Sequence, residues 1–427
     1  MKVAIAGYGI EGESNYRYYV GRGDDVTIVD ESDSPKIALP EGASTQTGTD
    51  VFLKLDGYDV VVRTAGLNPN RIKTDGYVWS ATNEFFARCP APIIGVTGTK
   101  GKGTTCSLIA AILRASGQKV HLIGNIGVPA LDVLDAIEAD DVVVYEMSSF
   151  QLWDIQKSPR IAVVLMVEPD HLDVHEDMQE YLSAKSHIVT HQTQGDIVIY
   201  HPTNKDTATV VAQALSHKVR YAVPDDGQVY VKENTFFIQD TPICGVDALQ
   251  LPGTFNHENA CAAISAALAA GVSIDFVEAG LRSFTGLPHR LKQVRKVNGV
   301  SYYDDSIATT PGSAIAALSA FDAHKIIILG GSDKGADYHD VVRACRATDT
   351  SVIAIGQTGE VIARLCKEQD VPVTRVTGGM SDVVRTATAQ ASAGDIIVLS
   401  PASASFDQYK SYSDRGEQFV AAVEDIR

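Results

Sequence analysis

"GVTGTKGKGTTCSLI", residues 95 to 109, passes from a short apolar stretch through a glycine-spaced loop into a segment with helical character. Gly98, Gly101 and Gly103 surround Lys100 and Lys102, with Thr99, Thr104 and Thr105 alongside. A loop of this kind, between a strand and a helix, aims backbone N–H groups and a lysine at phosphate, and the helix N-terminus behind it favours negative charge. Read as G-x-x-G-K it supplies the cradle and the cation of a nucleoside triphosphate site. It departs from the usual pattern at Gly103, where a Ser or Thr normally reaches magnesium. A strand, a phosphate loop and a helix predict an α/β domain built on a parallel sheet.

A second glycine loop opens the chain. "GYGIEG", residues 7 to 12, matches G-x-G-x-x-G after the apolar run "VAIA", and Asp30 ends the next run, "VTIVD". This is the spacing of a dinucleotide-binding turn. Taken alone it suggests an oxidoreductase cofactor site, but the signal is weak, because another nucleotide at the same sheet edge or a tight strand–helix turn needs the same glycines.

The apolar runs at 3–6, 26–29 and 59–62 read as buried parallel strands. "RCPAPIIGVTG" marks a boundary, with a linker expected near residues 85–92. Runs at 141–150, 161–167 and 195–201 continue a second series, and "NHENACAAISAALAAG" (256–271) reads as a small-residue helix closed by Gly271. "GLPHR" (286–290) marks another break, and runs at 325–331, 351–356 and 395–401 form a third series. The expectation is three consecutive α/β domains: a Rossmann-like domain at 1–88, a P-loop ATPase-like domain at 89–286, and a Rossmann-like domain at 287–427.

Composition agrees with that size. At 427 residues the chain exceeds one ordinary core, and 45% hydrophobic with 21% charged residues is a soluble globular balance. No apolar stretch approaches the roughly 20 residues of a membrane span, and "MKVAIAG" reads as a strand, not as a signal peptide. The six cysteines (89, 106, 244, 261, 345, 366) have no paired spacing, which suits a reducing compartment and argues against a zinc site. A net charge of −17 argues against a nucleic-acid partner.

Further candidate residues lie after the strands of the second and third series. Glu146 in "YEMSSFQL" stands at a strand end, where a carboxylate can take magnesium. His171 in "EPDHLDVH" sits among Glu168, Asp170 and Asp173, either a solvated loop or a group facing the phosphates. By composition Lys185 in "YLSAKSHIV" is a surface charge. "DDSIATTP" (304–311), "GGSDKGADY" (330–338) and "LSPASASFDQY" (399–409) carry hydroxyls, a lysine and turn glycines, the equipment for gripping carboxylates. Ser405 lacks the G-x-S-x-G surroundings of a hydrolase nucleophile.

Together "GTKGKGTT", "EMSSFQL", "DHLD", "NHEN", "GLPHR", "DDSIATTP", "GGSDKGADY" and "LSPASASFDQYKSYSDRGEQF" resemble, in order and over essentially the whole chain, the ATP-dependent muramyl ligases of bacterial peptidoglycan synthesis. The last three favour the D-glutamate-adding branch. The resemblance implies an amide-forming ligase that uses ATP, D-glutamate and UDP-N-acetylmuramoyl-L-alanine through an acyl phosphate, as a cytoplasmic monomer. Folylpolyglutamate synthases resemble only the last two domains. The roughly ninety residues before the phosphate loop therefore favour recognition of a UDP handle.

Residue by residue, the resemblance implies that Gly98, Thr99, Lys100, Gly101, Lys102, Gly103 and Thr104 hold the ATP phosphates. Asn259 would contact adenine, and Arg290 and Asp305 the nucleotide. Thr104 and Glu146 would serve one Mg2+, and His171 with Lys185 as a carbamate a second; Lys102, His171 and Lys185 would be the catalytic set. Gly7, Gly9, Gly12, Asp30, and Thr64 and Gly66 of "TAGL" would hold the UDP part, with Asn125 and His171 near the muramyl group. Thr309, Lys334, Ser405 and the Tyr412 backbone would grip D-glutamate. Besides Gly103, the chain departs from the pattern at Ile307, where some members have lysine, and at Met166, where asparagine is usual.

Overall fold

The apolar runs form buried parallel strands in the computed structural model, which describes residues 1–35, 37–125, 128–223 and 228–426. The first sheet holds β1 (Lys2–Ala6), β2 (Asp25–Asp30), β3 (Ser44–Thr47), β4 (Val60–Arg63) and β5 (Tyr77–Ser80). Its order is β3-β2-β1-β4-β5, all parallel, the doubly wound arrangement. Val3, Ala4, Ile5 and Ala6 are fully buried, as a strand covered on both faces requires.

The second sheet holds β6 (Ile93–Thr97), β7 (Val120–Gly124), β8 (Val142–Glu146), β9 (Ile161–Val164), β10 (Ile197–Tyr200) and β11 (His217–Arg220). Its order is β11-β10-β9-β6-β8-β7, again all parallel. An antiparallel three-stranded sheet follows, β12 (Val229–Lys232), β13 (Thr235–Ile238) and β14 (Thr241–Gly245). The last sheet, β15 (Lys292–Val297), β16 (Val300–Asp304), β17 (Lys325–Gly330), β18 (Thr350–Ile355), β19 (Val373–Arg375) and β20 (Ile396–Leu399), runs β15-β16-β20-β17-β18-β19. Only the β15–β16 hairpin in it is antiparallel.

The chain divides into two compact units: Met1–Leu249 with His257–Phe284, and Gln250–Asn256 with Thr285–Arg427. The first contains the first three sheets, the second the last. The expected helix at 256–271 is Thr254–Ala269, and Gly271, at φ +89°, turns the chain so that the Val272 N–H reaches the Ala267 carbonyl at 3.1 Å. The stretch at 85–92, expected as a linker, includes the end of the helix Ala81–Arg88. Phe85 and Phe86 are buried there, at ring-centroid distances of 5.6 and 6.0 Å from Tyr145 of β8. Their apolar area, worth roughly 1.5–3 kcal/mol per ring when buried, is why this segment packs. Among the described residues no helix is long and apolar enough to cross a membrane.

Candidate active site

In each parallel sheet a loop leaves a strand that has a parallel neighbour on both sides, so loops from the adjacent strands arrive at the same carboxyl edge. After β6 the chain turns on Gly98 (φ +146°) and Gly101 (φ +83°) into the helix Lys102–Ala115. A Cβ at Gly98 would lie 2.7 Å from that of Leu165, and one at Gly101 would overlap Asn259 Oδ1, so glycine is required at both. Asn259 Oδ1 also accepts from the Thr105 hydroxyl at 3.5 Å, which sets the small-residue helix against the loop.

Two lysines meet on this loop. Lys102 Nζ donates to the carbonyls of Gly98 (3.1 Å) and Thr99 (2.9 Å), and Lys185 Nζ donates to the same Gly98 carbonyl at 3.0 Å. Lys185 comes from the helix Met178–Thr190, is 1% exposed, and lies 4.6 Å from the Tyr181 ring centroid. The surface-charge reading from composition is therefore overturned. Burial first, and the nearby Lys102 second, push its amine well below the ordinary lysine range, while Asp170 pulls the other way.

Glu146 ends β8, is buried, and accepts from the Asn125 amide at 3.3 Å. Ile126 and Gly127 of the "GNIG" turn lie outside the described residues. Thr104 is buried in the first turn of its helix, as is Gly103. Lys100 is exposed and pairs with Glu168 at 3.1 Å. His171 has φ +54°, is half-exposed, and stacks obliquely 4.9 Å from Phe150, with Nε2 3.5 Å from an Asp170 oxygen. Met166 exposes its side chain and offers its carbonyl to the Thr99 N–H at 2.9 Å, so a backbone contact holds the loop there. The neighbouring His175, which sequence reasoning passed over, is buried between Phe150, Trp153 and Tyr181, with Nε2 3.0 Å from Ser149 Oγ.

At the edge of the first sheet, Gly7 (φ +92°) packs against Thr64, and a Cβ at Gly12 would overlap the Gly7 carbonyl oxygen. Gly9 precedes the helix Ile10–Gly21 and has open space around it. Asp30 braces the loop: one carboxylate oxygen accepts the Tyr8 N–H at 2.7 Å and the other the Ser32 N–H at 2.9 Å. Glu11, missed in the sequence, accepts the Ala65 N–H at 2.7 Å.

Arg63, also missed, is fully buried at the end of β4. It donates to the carbonyls of Thr64, Ala65 and Leu67 at 3.4 Å each, to the Phe150 carbonyl at 3.1 Å, and to both oxygens of Asp154. The turn at 64–67 and the segment at 150–154 are thus tied by one guanidinium fork, which no local pattern in the sequence announces.

A cavity of about 480 Å³ opens between these edges. Glu11 and Gly66, from the helix and the turn that follow strands of the first sheet, line it together with Gly98, Lys102, Asn125, His171 and Lys185 from the second sheet's loops and helices. Gly7, Gly9, Gly12, Asp30, Thr64, Thr104 and Glu146 do not line it. Among the described residues no three His, Cys, Asp or Glu side chains converge as a ready-made metal cage.

In the second unit, three loops follow the neighbouring strands β16, β20 and β17. The backbone ties them: Gly330 N–H to the Pro401 carbonyl (2.8 Å), Ser332 N–H to Ala404 (2.8 Å) and Ala402 N–H to Ala308 (2.9 Å). The fully buried Arg415 pins two of them, donating to the Ser306 carbonyl (2.9 Å), the Ser306 hydroxyl (3.0 Å) and the Ser403 carbonyl (3.1 Å); burial lowers it to about 10. Ser405 is buried, Thr309 and Lys334 are exposed, and Lys334 Nζ lies 5.6 Å from the Phe406 ring centroid. The Tyr412 carbonyl is taken by the Ser306 hydroxyl at 2.7 Å, and its N–H lies in the first turn of the helix Tyr412–Glu424. Ile307 is half-buried, with its N–H on the His289 carbonyl at 3.1 Å. Asp305 accepts from Leu291 N–H (3.0 Å) and Ser400 Oγ (2.7 Å), and burial still pushes its carboxyl up to about 7; Arg290 is exposed.

Residues 96–267 match the Mur ligase middle domain and residues 289–403 the Mur ligase glutamate ligase domain. The chain belongs to the Mur ligase family. It is similar to proteins named UDP-N-acetylmuramoylalanine–D-glutamate ligase: 34% identical to that of Symbiobacterium thermophilum, over 99% of this chain and 98% of the relative, and 35% identical to that of Acetivibrio thermocellus, over 100% and 96%. The crystal structure of a MurF ligase from Thermotoga maritima in complex with ADP shares the fold, with a TM-score of 0.61 at 16% identity over 99% of this chain and 95% of that one. As a Mur ligase, the chain is an ATP-using enzyme of peptidoglycan precursor synthesis.

Proposed function

We propose that this Mur ligase adds D-glutamate to UDP-N-acetylmuramoyl-L-alanine, using ATP, as a cytoplasmic monomer. The observation that carries the reading is the cavity in the first unit, where Gly98 and Lys102 of the phosphate loop and Ala65 and Gly66 of the turn after β4 line one space. Full-length similarity to relatives named for the D-glutamate reaction supports the choice of amino acid. We assign residues 1–88 to the UDP handle, 89–286 to ATP and 287–427 to the amino acid, each with its own wholly or mainly parallel sheet.

In this reading Gly98 to Thr104 cradle the ATP phosphates, Asn259 meets adenine, and Arg290 and Asp305 meet the nucleotide. Gly7, Gly9, Gly12, Asp30, Thr64 and Gly66 hold the UDP part, and Asn125 and His171 flank the muramyl group. A carboxylate oxygen of the alanyl substrate attacks the γ-phosphorus and ADP leaves. The D-glutamate amine then attacks the acyl carbon, phosphate departs, and the amine gives up a proton. Lys102 orients the transferring phosphoryl group and offsets its charge, and most of the acceleration comes from such positioning. Thr309, Lys334, Ser405 and the Tyr412 N–H hold the amino acid's carboxylates.

Glu146 and Thr104 are hard oxygen donors, too few for an all-protein cage. That suits Mg2+, which is usually held by one or two carboxylates with water and phosphate oxygens completing the set. When bound it would draw charge from the transferring phosphoryl group. A second ion near His171 does not fit a lysine ammonium. It does fit a Lys185 carbamate, and burial favours the unprotonated amine that reacts with CO₂.

The test is a panel of amino acids assayed by phosphate release with UDP-N-acetylmuramoyl-L-alanine and ATP. D-glutamate should exceed L-glutamate, L-lysine and meso-diaminopimelate, because a misplaced carboxylate leaves a buried partner unpaired at about 1–3 kcal/mol. Equal rates with L-glutamate would sink the assignment.

A further inference from the structure

We propose that Glu11 sets the affinity for the nucleotide substrate: its carboxylate occupies the Ala65 N–H that the substrate's diphosphate takes on binding. The proposal rests on the reading of this cavity as the site of a UDP-linked substrate.

Glu11 is the second residue of the helix Ile10–Gly21, directly after the glycine turn. Its side chain crosses to the loop after β4, where Oε2 accepts the Ala65 N–H at 2.7 Å. Glu11, Ala65 and Gly66 line the same cavity as Lys102 and Lys185. The backbone here is furnished for an anion. A glycine turn opens a twelve-residue helix, and the 64–67 turn is held from behind by Arg63, which grips the carbonyls of Thr64, Ala65 and Leu67. The anion in that place is the protein's own carboxylate.

A diphosphate and an ionised Glu11 cannot share the Ala65 N–H, since like charges in close contact in a poorly solvated cavity repel strongly. Binding therefore requires Glu11 to swing away or to take up a proton. Burial raises the Glu11 carboxyl above the ordinary glutamate range, opposed by the Ala65 hydrogen bond and by Arg63, and a second anion beside it pushes in the same direction as burial. The charged and titratable groups facing it are Arg63 behind the turn and Tyr145, with Lys102, Lys185, Asp170 and His171 along the cavity wall. The wall groups are unchanged in a Glu11 variant, so they cancel in a comparison with wild type.

The experiment is calorimetric titration of wild type, Glu11→Gln and Glu11→Ala with uridine, UDP and UDP-N-acetylmuramoyl-L-alanine between pH 6 and 8.5. Both variants should bind UDP and the full substrate about tenfold more tightly than wild type at pH 8, on the scale of one like-charge contact. The gap should narrow toward pH 6, and uridine should show no difference. Wild type should also take up more protons on binding than Glu11→Gln, measured across buffers of different ionisation enthalpy. Glu11→Gln keeps the shape and the Ala65 hydrogen bond, so it reads the charge even if Glu11→Ala is poorly folded. Equal or weaker binding of UDP by Glu11→Gln would overturn the proposal, making Glu11 a ligand for the substrate or a bystander. If no form of the protein binds UDP or the full substrate, the UDP reading of the cavity falls and the proposal falls with it.

Discussion

The loop after β1 and the loop after β6 both leave a strand with parallel neighbours on either side, turn on glycines of positive φ, and open a helix. They are furnished with opposite charge. Around the first, the nearby amides are taken by carboxylates: Asp30 on the Tyr8 N–H and Glu11 on the Ala65 N–H. Around the second, the carbonyls are taken by lysine amines, the cationic Lys102 and the buried Lys185 both on Gly98. The difference follows what each phosphate undergoes. A diphosphate used as a handle has only to be held and released, and an internal acid that competes with it favours release. A phosphoryl group in transfer spreads negative charge, and cations fixed beforehand stabilise that charge without reorganisation.

The comparison breaks most visibly at Lys102. Lys102→Ala should reduce turnover by about 10²–10³-fold or more, the cost of losing a group aimed at transition-state charge. Affinity for UDP-N-acetylmuramoyl-L-alanine should stay within a few-fold, because the handle is held at the other loop. Steady-state phosphate release and calorimetry measure the two separately. Loss of UDP-substrate binding in this variant would mean that the two loops do not serve separate ligands.

A smaller effect is expected at Lys185, which donates to the same carbonyl but is buried and poorly charged. A magnesium ion near His171 needs anionic oxygens, and an ammonium there would repel it. With a carbamate in place, Lys185→Ala should lose about 10–100-fold in activity, the usual range for groups that support a metal site. Formate or acetate should restore part of it. Lys185→Arg should not be rescued, because the guanidinium fills the space with the wrong sign. Unchanged activity of Lys185→Ala would remove the second metal from the mechanism.

Legibility in the sequence divided along the same line. Strands such as β1, β6 and β17 were plain because burial on both faces forces continuous apolar runs. The edge strands β3 and β5 and the antiparallel strands β12 to β14 were not, since "STQT" or "YVWS" is half solvent-facing and carries no run. The phosphate loop could be read because its glycines and lysine are contiguous. Glu11, Arg63, Asp154 and Arg415 could not, because each acts on residues remote in sequence: Arg63 meets Asp154 at a separation of 91 residues, and Arg415 meets Ser306 at 109. The burial of Lys185 was likewise invisible in composition, which only counts it as a charge.

The mildest effect, and the sharpest test of the first loop, is expected at Asp30. In a dinucleotide-binding turn the acidic residue ending the second strand holds a ribose hydroxyl. Here both oxygens already take backbone N–H groups, from Tyr8 and Ser32, so the carboxylate first fixes the loop. Asp30→Asn keeps one good acceptor and turns the other into a donor facing an N–H. A hydrogen bond to a charged group contributes about 1.5–3 kcal/mol, and part of one is lost. KM for the UDP substrate should therefore rise by less than about tenfold, with KM for ATP and kcat unchanged and the melting temperature slightly lowered. A rise of about a hundredfold or more, with no loss of thermal stability, would make Asp30 a direct ribose ligand. The first loop would then resemble a dinucleotide site in function as well as in spacing.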